Sequence, residues 1–236
     1  MRVIVRQAPL LSGFAHMDRG AVVLPAFNEE ANIEHVVREA LRLGVGRVVC
    51  VDDCSTDGTG AIIEELAEQP QVQAVRHEVN QGKQAAVRHG LQAALQNREP
   101  AIFAVLDADR QNDPALLAGL CGHLETHDMV IARRSTARMA PARRLANALA
   151  NMPYRIIAAT AIHDVQSGYR LYRRDAAEWL ARHLTDEGRY TLEHVSLLEL
   201  GPWRYARVGI CRWPKSRSPT AWRGPRAASA CGTTCN

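Results

Sequence analysis

Two aspartates separated by one residue, Asp107 and Asp109, form the pattern in this sequence that most directly suggests chemistry. They follow the apolar run AIFAVL, which is typical of a buried strand. Carboxylates at the end of one strand can converge on a hard divalent cation, and Mg²⁺ and Mn²⁺ prefer such oxygen ligands. A cation bound there would neutralise negative charge on a departing diphosphate. Gln111 could add a neutral oxygen, although an acidic turn alone would also explain the two aspartates.

Polar residues also follow the first two apolar runs of the sequence. The run RVVCVDD ends in Asp52 and Asp53, and AVVLPAF is followed by Asn28 and Glu29. Asp57, a little further on, is placed to cap the next helix. Asp53 has no such local role, and we expect it to accept a hydrogen bond from a base or a ribose. Since the carboxyl ends of parallel strands meet at one edge of a sheet, all three loops are expected to border one ligand crevice.

The elements that would position these loops follow from hydrophobic periodicity. Apolar runs predict strands at residues 21–27, 47–53, 72–77, 101–106 and 129–132. Amphipathic segments predict a helix start at Pro114 and helices at residues 29–43, 57–69, 84–96, 141–159 and 176–184. Residues 164–174 combine a turn with an alternating segment. This alternation of elements predicts an α/β fold of three layers, α/β/α, around a mostly parallel central sheet.

Composition and charge exclude several classes of protein. With 47% hydrophobic and 23% charged residues, the chain is ordinary for a globular protein. The net charge of +4 arises in residues 201–236, which contain seven Lys and Arg and no acidic residue. The first 200 residues are therefore mildly acidic, so we expect no nucleic-acid partner. There is no run of about eighteen apolar residues and no secretory signal, which predicts a cytoplasmic protein without a transmembrane helix.

The sequence is predicted to form one domain with two flanking segments. We expect an N-terminal extension at residues 1–20, the domain at 21–210 and an atypical basic tail at 211–236. The tail lacks apolar periodicity, and the 27 Arg against two Lys in the chain are typical of a GC-rich gene. We therefore hypothesise that the tail is frameshifted or truncated. If it is native, its basic residues could give peripheral contact with anionic lipid at the inner face of a membrane.

Five sequence blocks in a fixed order resemble a known enzyme family. They are VVLPAFNEE, VDDCSTDGTG, NQGKQAAVRHGL, VLDADRQNDP and DVQSGYRLYRR. Together they resemble family 2 glycosyltransferases with the GT-A fold, and in particular dolichol-phosphate mannosyltransferases and their bacterial polyprenyl-phosphate relatives. The resemblance covers about residues 21–200. It implies an inverting transfer of a sugar from a nucleotide-sugar donor to a polyprenyl phosphate, assisted by Mg²⁺ or Mn²⁺.

The same resemblance implies roles for individual residues. It assigns to the nucleotide-sugar donor the residues Pro25, Phe27, Glu29, Val51, Asp53, Asp107, Ala108 and Asp109. It assigns the metal to Asp107, Asp109 and Gln111, and catalysis to Asp107, Asp109, Arg134 and Asp164. Either Arg143 or Arg144 matches a second basic position. Ser167, Gly168 and Arg170 match a block beside the sugar and the acceptor, although ordinary turn formation explains Ser167-Gly168 equally well.

Two alternatives to lipid transfer stay open. With a glycan hydroxyl as acceptor, a carboxylate must remove the acceptor's proton, and Asp164 and Glu193 are the candidates. A lipid phosphate is already anionic and needs no such base. The second alternative is a non-catalytic paralogue that binds a nucleotide-sugar. A nucleotidyltransferase is disfavoured because no glycine-rich phosphate loop opens the first helix.

Two residues depart from the pattern of the family close to the predicted site. Cys54 stands where the family usually has a glycine after the paired aspartates. Because cysteine tolerates positive φ poorly, we expect an altered turn there. Gln84 stands where relatives often have a second small residue after Gly82-Lys83.

Overall fold

The computed structural model of the chain describes residues 17–110, 112–133, 167–185 and 208–212. Its helices are α1 (Ile33–Arg42), α2 (Thr59–Leu66), α3 (Lys83–Leu95), α4 (Leu117–Cys121) and α5 (Arg174–His183). Its strands are β1 (Gly20–Ala26), β2 (Arg47–Asp52), β3 (Val72–Arg76), β4 (Ile102–Val105), β5 (Met129–Arg133), β6 (Arg170–Arg173) and β7 (Val208–Arg212).

The predicted alternation of elements is confirmed wherever the structure describes it. All five predicted strands are present, and β6 lies within the alternating segment at 164–174. Helix α1 begins at Ile33, later than predicted, after a turn in which Asn32 N–H donates to the Glu29 carbonyl. Pro114 opens a 3₁₀ turn that leads into α4, with the Asp113 carboxylate accepting a hydrogen bond from the Ala115 N–H. The helix predicted at 141–159 lies outside the described residues.

The seven described strands form one sheet in the order β3-β2-β1-β4-β6-β5-β7. Strands β3, β2, β1 and β4 pair in parallel, and so do β5 and β7. Strand β6 is antiparallel to both of its neighbours, β4 and β5. The expected mostly parallel sheet is therefore confirmed, with β6 as its one reversed strand. Strand β7 extends to residue 212, two residues beyond the predicted end of the domain at residue 210.

The sheet direction brings several loops to the same place. Since β1, β2 and β4 are parallel neighbours, the loops that follow them at residues 27–32, 53–58 and 106–113 emerge at one edge, which we call the carboxyl edge. Strand β5 also ends at this edge. Because β6 runs antiparallel to β5, β6 begins there. The chain thus leaves β5 and enters β6 on the side of the sheet where ligands bind in such folds.

Apolar side chains on both faces of the sheet hold the three layers together. One cluster joins α1, α2 and α4 to a face of the sheet that includes Val22 and Leu24. The other joins α3 and α5 to the opposite face, which includes Ala21 and Val23. Burial on both faces explains why the strands are continuous apolar runs. Within the described ranges, no helix combines the length and the apolar character that a membrane crossing requires.

Helix α3 approaches the sheet most closely at Gly90. A Cβ at this position would lie 2.4 Å from Cγ1 of Val23 and 3.0 Å from Cγ2 of Val51. Both valines are fully buried, so neither can move away without disturbing the layer beneath α3.

We predict that Gly90→Ala lowers the free energy of unfolding by about 1–3 kcal/mol, because the added methyl overpacks the α3–sheet contact. Gly119→Ala on α4 is the matched control, since a Cβ there would meet nothing within 4 Å. It should raise stability by about 0.5–1 kcal/mol through the better helix propensity of alanine. Urea unfolding followed by circular dichroism measures both, and equal effects of the two substitutions would contradict the packing argument.

Candidate functional site

The loops at the carboxyl edge contain unusual backbone conformations. Among the described residues, positive φ outside glycine occurs at Asn28, Cys54 and Arg110, with φ between 58° and 60°. Each lies in a different one of the three loops that follow β1, β2 and β4. Left-handed backbone costs roughly 1–2 kcal/mol for a residue with a Cβ, and such strain is concentrated at functional sites. The strained backbone conformations of the described residues are therefore concentrated at the carboxyl edge, which marks this edge as a candidate functional site.

The departure at Cys54 has a smaller effect on the turn than expected. Cys54 adopts φ of 60°, so the turn keeps a left-handed residue and the expectation that cysteine alters it is wrong in this respect. The Cys54 Sγ also donates a weak hydrogen bond to the Glu78 carbonyl at 3.4 Å. This contact partly offsets the cost of the conformation. Gln84, the second departure, is buried, and its side-chain amide donates to the Thr185 carbonyl at 2.8 Å.

The first two loops are joined by side-chain-to-backbone hydrogen bonds. Asn28 N–H donates to Ser55 Oγ at 3.0 Å, and Thr56 N–H donates to Asn28 Oδ1 at 2.8 Å. Glu29 N–H donates to Thr59 Oγ1 at 2.7 Å. These bonds hold the two loops together, so the relative positions of residues 27–32 and 53–58 are fixed.

Asp57 lies one residue before Gly58, the N-cap of α2, so its predicted capping role is met only through a bond to the first helical N–H. Its Oδ1 accepts from the backbone N–H of Thr59 at 3.0 Å, and its Oδ2 accepts from Glu30 N–H at 3.3 Å. Burial alone would raise the pKa of Asp57, but the hydrogen bonds from Thr59 and Glu30 to its charged form hold the pKa below its ordinary value. Asp57 is therefore a stably ionised carboxylate at the start of α2.

The prediction that Asp53 has no local structural role is wrong. Its carboxylate is buried, with Oδ1 accepting from Gln81 N–H and Oδ2 accepting from Gly82 N–H, each at 2.8 Å. Gly82 has φ of 90° and lies directly before α3. Asp53 thus anchors the turn at the start of α3, and its assignment to the nucleotide stays a prediction that must be compatible with these bonds.

A chain of two histidines supports the Asp53 carboxylate. The Arg88 guanidinium contacts His89 Nε2 at 2.9 Å, and since guanidinium has only donors, this nitrogen is the acceptor. His89 Nδ1 then donates to His77 Nε2 at 2.9 Å, and His77 Nδ1 donates to Asp53 Oδ1 at 2.8 Å. In this arrangement Arg88, His89, His77 and Asp53 form consistent donor–acceptor pairs with both imidazoles neutral. The chain thus connects Asp53, through His77 directly after β3, to His89 and Arg88 on α3 itself.

The paired aspartates lie at the centre of the carboxyl edge. Asp107 and Asp109 are partly exposed, whereas Ala108 between them is buried. The Lys83 ammonium lies 2.6 Å from Asp107 Oδ1, and each of these side chains is about 30% exposed. Gly168 also lies against this carboxylate, since a Cβ there would overlap Asp107 Oδ2 and come within 2.8 Å of Oδ1. Close approach to Asp107 therefore explains why a glycine stands at this position.

The negative charges of this edge act on one another. Burial raises the pKa of the Glu29 carboxyl above its ordinary value, a hydrogen bond from Asn32 lowers it, and the carboxylates of Asp109, Asp107 and Asp57 raise it further. A site in which carboxylates repel one another gains free energy when a cation binds. The charge distribution thus fits a divalent cation with hard oxygen ligands.

The metal ligands available from the described residues are few. In this part of the chain, no three His, Cys, Asp or Glu side chains converge into a metal site formed by protein alone. Asp107 and Asp109 would therefore hold a cation together with further oxygens, as a bound diphosphate could supply. Gln111, the third predicted ligand, lies outside the described residues.

The remaining predicted site residues fall into three groups. Pro25, Phe27 and Glu29 are partly exposed where β1 ends. Val51 is fully buried in the apolar layer beneath α3, so a contact with a nucleotide would involve its main chain. Outside the described residues lie Arg134, Arg143, Arg144, Asp164 and Glu193.

The block at Ser167 to Arg170 has a clear structural role. Arg170 is buried, and its Nε donates to the Ser167 carbonyl at 2.9 Å, which holds the segment that leads into β6. In this segment Gly168 lies against Asp107. The implied position of the block beside the sugar and the acceptor stays a prediction.

A comparison with protein families decides the classification of the chain. The model of glycosyl transferase family 2 matches residues 21–180, which contain every described element of the site. The chain belongs to glycosyl transferase family 2. It is thus a glycosyltransferase, as the five sequence blocks implied.

Two relatives confirm the resemblance of this family 2 glycosyltransferase to the polyprenyl-phosphate branch. Polyprenol monophosphomannose synthase of Mycolicibacterium smegmatis is 32% identical over 192 residues, which cover 74% of this chain and 69% of that protein. Undecaprenyl-phosphate 4-deoxy-4-formamido-L-arabinose transferase of Pseudomonas paraeruginosa is 32% identical over 170 residues, 69% of this chain. The match spans 49% of the second relative's length.

Solved structures confirm the GT-A fold. Glucosyl-3-phosphoglycerate synthase of Mycobacterium tuberculosis, solved with Mg²⁺ and UDP, superposes with a TM-score of 0.63 at 21% identity. The superposition covers 84% of this chain and 73% of that one. The same enzyme has also been solved with Mn²⁺ and UDP.

Sequence reasoning missed three residues of this glycosyltransferase site. His77 and His89 support Asp53, and Lys83 contacts Asp107. The histidines carry no recognisable spacing, because they come from β3 and α3. Lys83 did offer a signal, since it opens a helix, where the helix dipole disfavours a cation.

We predict that Gly168→Ala displaces the Asp107 carboxylate while the protein stays folded, because a carboxylate at the end of a side chain can move where backbone cannot. Thermal stabilisation by UDP or GDP in the presence of Mn²⁺ should then be lost. Gly122→Ala is the control, since a Cβ there would meet nothing within 4 Å. Unchanged stabilisation of Gly168→Ala would show that the position of Asp107 does not matter.

We also predict that Glu29→Gln raises the free energy of unfolding at pH 7 in metal-free buffer. The pKa of Glu29 is higher in the folded protein than in the unfolded chain, where the pKa of this carboxyl is about 4.5. Ionised Glu29 therefore destabilises the fold above its folded pKa and has no effect well below 4.5.

The gain from Glu29→Gln should accordingly shrink as the pH falls towards 4. Urea unfolding at a series of pH values measures it. Glu34→Gln on the exposed face of α1 serves as the control. A gain that does not depend on pH would mean that charge repulsion is not its cause.

Proposed function

We propose that this glycosyltransferase moves a sugar from a nucleotide-sugar donor to a polyprenyl phosphate, with inversion at the anomeric carbon and with Mg²⁺ or Mn²⁺ as cofactor. The observation that carries the proposal is the cluster of Asp107, Asp109 and Glu29 beside Lys83 at the carboxyl edge. Such a mixture of carboxylates and an ammonium suits a cation and the phosphates that accompany it. The names of the two relatives both refer to a polyprenyl-type lipid, which supports the acceptor class.

The donor would lie along the carboxyl edge. Pro25, Phe27, Glu29, Val51 and Asp53 are proposed for the nucleoside half, and Asp107, Ala108 and Asp109 for the diphosphate half. The cation would be held by Asp107, Asp109 and Gln111. It would neutralise the negative charge that develops on the leaving diphosphate. The solved relatives of this fold with Mg²⁺, Mn²⁺ and UDP support this arrangement.

The acceptor would react from the opposite face of the sugar. A phosphate oxygen of the lipid forms the new bond to the anomeric carbon, and the bond from that carbon to the diphosphate oxygen breaks, so the electron pair leaves with the nucleoside diphosphate. Because the phosphate is already anionic, no protein base is required. Arg134 is proposed to position it, since guanidinium binds phosphate through two hydrogen bonds. Asp164 would then not be needed as a base that removes a proton from the acceptor.

Transfer to such an acceptor would take place at a membrane surface. The lipid part of a polyprenyl phosphate stays in the bilayer, so we propose peripheral contact of the chain with the membrane. Basic residues in the segment 211–236 would favour anionic lipid by about 1 kcal/mol each.

We predict that the double variant Asp107→Asn, Asp109→Asn binds its nucleotide-sugar with Mn²⁺ at least about 100-fold more weakly, since each charge-assisted contact contributes about 1.5–3 kcal/mol. A thermal-shift panel of UDP-, GDP-, dTDP- and CDP-sugars, with and without Mn²⁺, identifies the donor first. Asp113→Asn removes a charge nearby and keeps a capping side chain, so it should bind normally.

The acceptor is tested with the donor that this panel selects. Incubation with undecaprenyl phosphate should give a sugar linked to the lipid through a phosphodiester. A product on a glycan hydroxyl would instead support the alternative acceptor class. Tight donor binding without any transfer would support a non-catalytic paralogue, and no binding by folded protein would refute the proposed function.

A further inference from the structure

The contact between Lys83 and Asp107 links the start of α3 to the predicted metal site. Nζ lies 2.6 Å from Oδ1, well within the distance of a charge-assisted hydrogen bond. Lys83 is the first residue of a 13-residue helix, where the helix dipole opposes a positive charge. The chain also uses Arg for nearly all its other positive charges. Helix stability therefore does not account for this lysine, whereas the carboxylate in front of it does.

The backbone on both sides of Lys83 is held in place. Gly82 N–H donates to the buried Asp53 carboxylate, and the side chain of Gln84 is bonded to the Thr185 carbonyl. The four-carbon side chain of Lys83 is therefore the less restrained part of this residue. An ammonium on such a stem is a compact charge that can exchange one anionic partner for another.

Both oxygens of Asp107 lie close to Gly168, where a Cβ would come within 2.8 Å of Oδ1 and closer still to Oδ2. Oδ1 is also in contact with the Lys83 ammonium. A divalent cation coordinated to Oδ1 at about 2.1 Å would lie within about 5 Å of the ammonium. Like charges at this distance repel strongly in a partly buried site. Lys83 and a divalent cation would thus compete for the Asp107 carboxylate.

We propose that Lys83 occupies the Asp107 carboxylate until a nucleoside diphosphate arrives, and then transfers its contact to the diphosphate. The metal binds weakly alone and tightly together with the nucleotide, because the diphosphate gives the displaced ammonium a new anionic partner. Lys83 is in this way the source of a positive coupling between metal and donor. The inference rests on the proposed function, since it requires a diphosphate donor at this edge.

Lys83→Met tests the exchange because it keeps the stem and removes the charge. Binding of Mn²⁺ alone, measured from the EPR signal of free Mn²⁺, should become at least about fivefold tighter. Binding of UDP or GDP at saturating Mn²⁺, measured by calorimetry, should become at least about fivefold weaker. Opposite changes of the two affinities are the signature of exchange, because a purely structural role would weaken both.

Three further variants serve as controls. Lys83→Arg keeps a positive charge and should restore Mn²⁺ binding towards the wild-type value. Arg38→Met removes one charge from the exposed face of α1 and should change neither affinity. Lys83→Gln repeats the test with a polar side chain and replaces Lys83→Met if the latter does not fold.

The outcomes separate this inference from the proposed function. If Lys83→Met binds Mn²⁺ no more tightly than wild type, while wild type binds a nucleoside diphosphate, the exchange is refuted and the function stands. If both affinities fall together, Lys83 is structural and the exchange is again refuted. If wild type binds no nucleoside diphosphate with Mn²⁺, the proposed function fails and the exchange fails with it.

Discussion

Repulsion among carboxylates at one edge of the sheet is the constraint on which the rest of the site depends. Asp53, Asp57, Asp107 and Glu29 all lie at the carboxyl edge, and their charges are stabilised to different extents. Backbone N–H groups donate hydrogen bonds to Asp53 and Asp57, and the Lys83 ammonium balances the charge of Asp107. Glu29 accepts a hydrogen bond from the Asn32 amide and keeps a raised pKa, to which the carboxylates of Asp109 and Asp107 contribute. Repulsion is thus concentrated beside the paired aspartates.

Helix α3 connects the two halves of this arrangement. Its N-terminal turn is bonded to Asp53 on one side, and its first residue contacts Asp107 on the other. Close packing at Gly90 fixes the depth of the helix on the sheet. The histidine chain then fixes Asp53 itself, so the position of Lys83 follows from contacts that extend from the apolar layer to the edge. A rigid support of this kind allows one flexible side chain to move without loss of geometry.

The sequence predicts the strands and the positions of their loops well, because these features depend on local hydrophobic pattern. Buried parallel strands are continuous apolar runs, so all five strands before residue 133 could be recognised, and the direction rule for parallel sheets placed Asp53 and Asp107 at one edge. The insertion of β6 between β4 and β5 has no local signature, since strand order depends on contacts between distant segments. The same holds for Asp53, whose partners His77, Gln81 and Gly82 lie more than twenty residues away. Gly168 is likewise explained by space around Asp107, which no turn propensity encodes.

The reversed strand β6 has a consequence for how such enzymes diversify. Because β5 ends and β6 begins at the carboxyl edge, the connection between them departs from and returns to the same side of the sheet. Its length and sequence can therefore change during evolution without shifting the register of any strand. An insertion between β5 and β6 would therefore add mass at the carboxyl edge and leave the hydrophobic layers on both faces of the sheet unchanged.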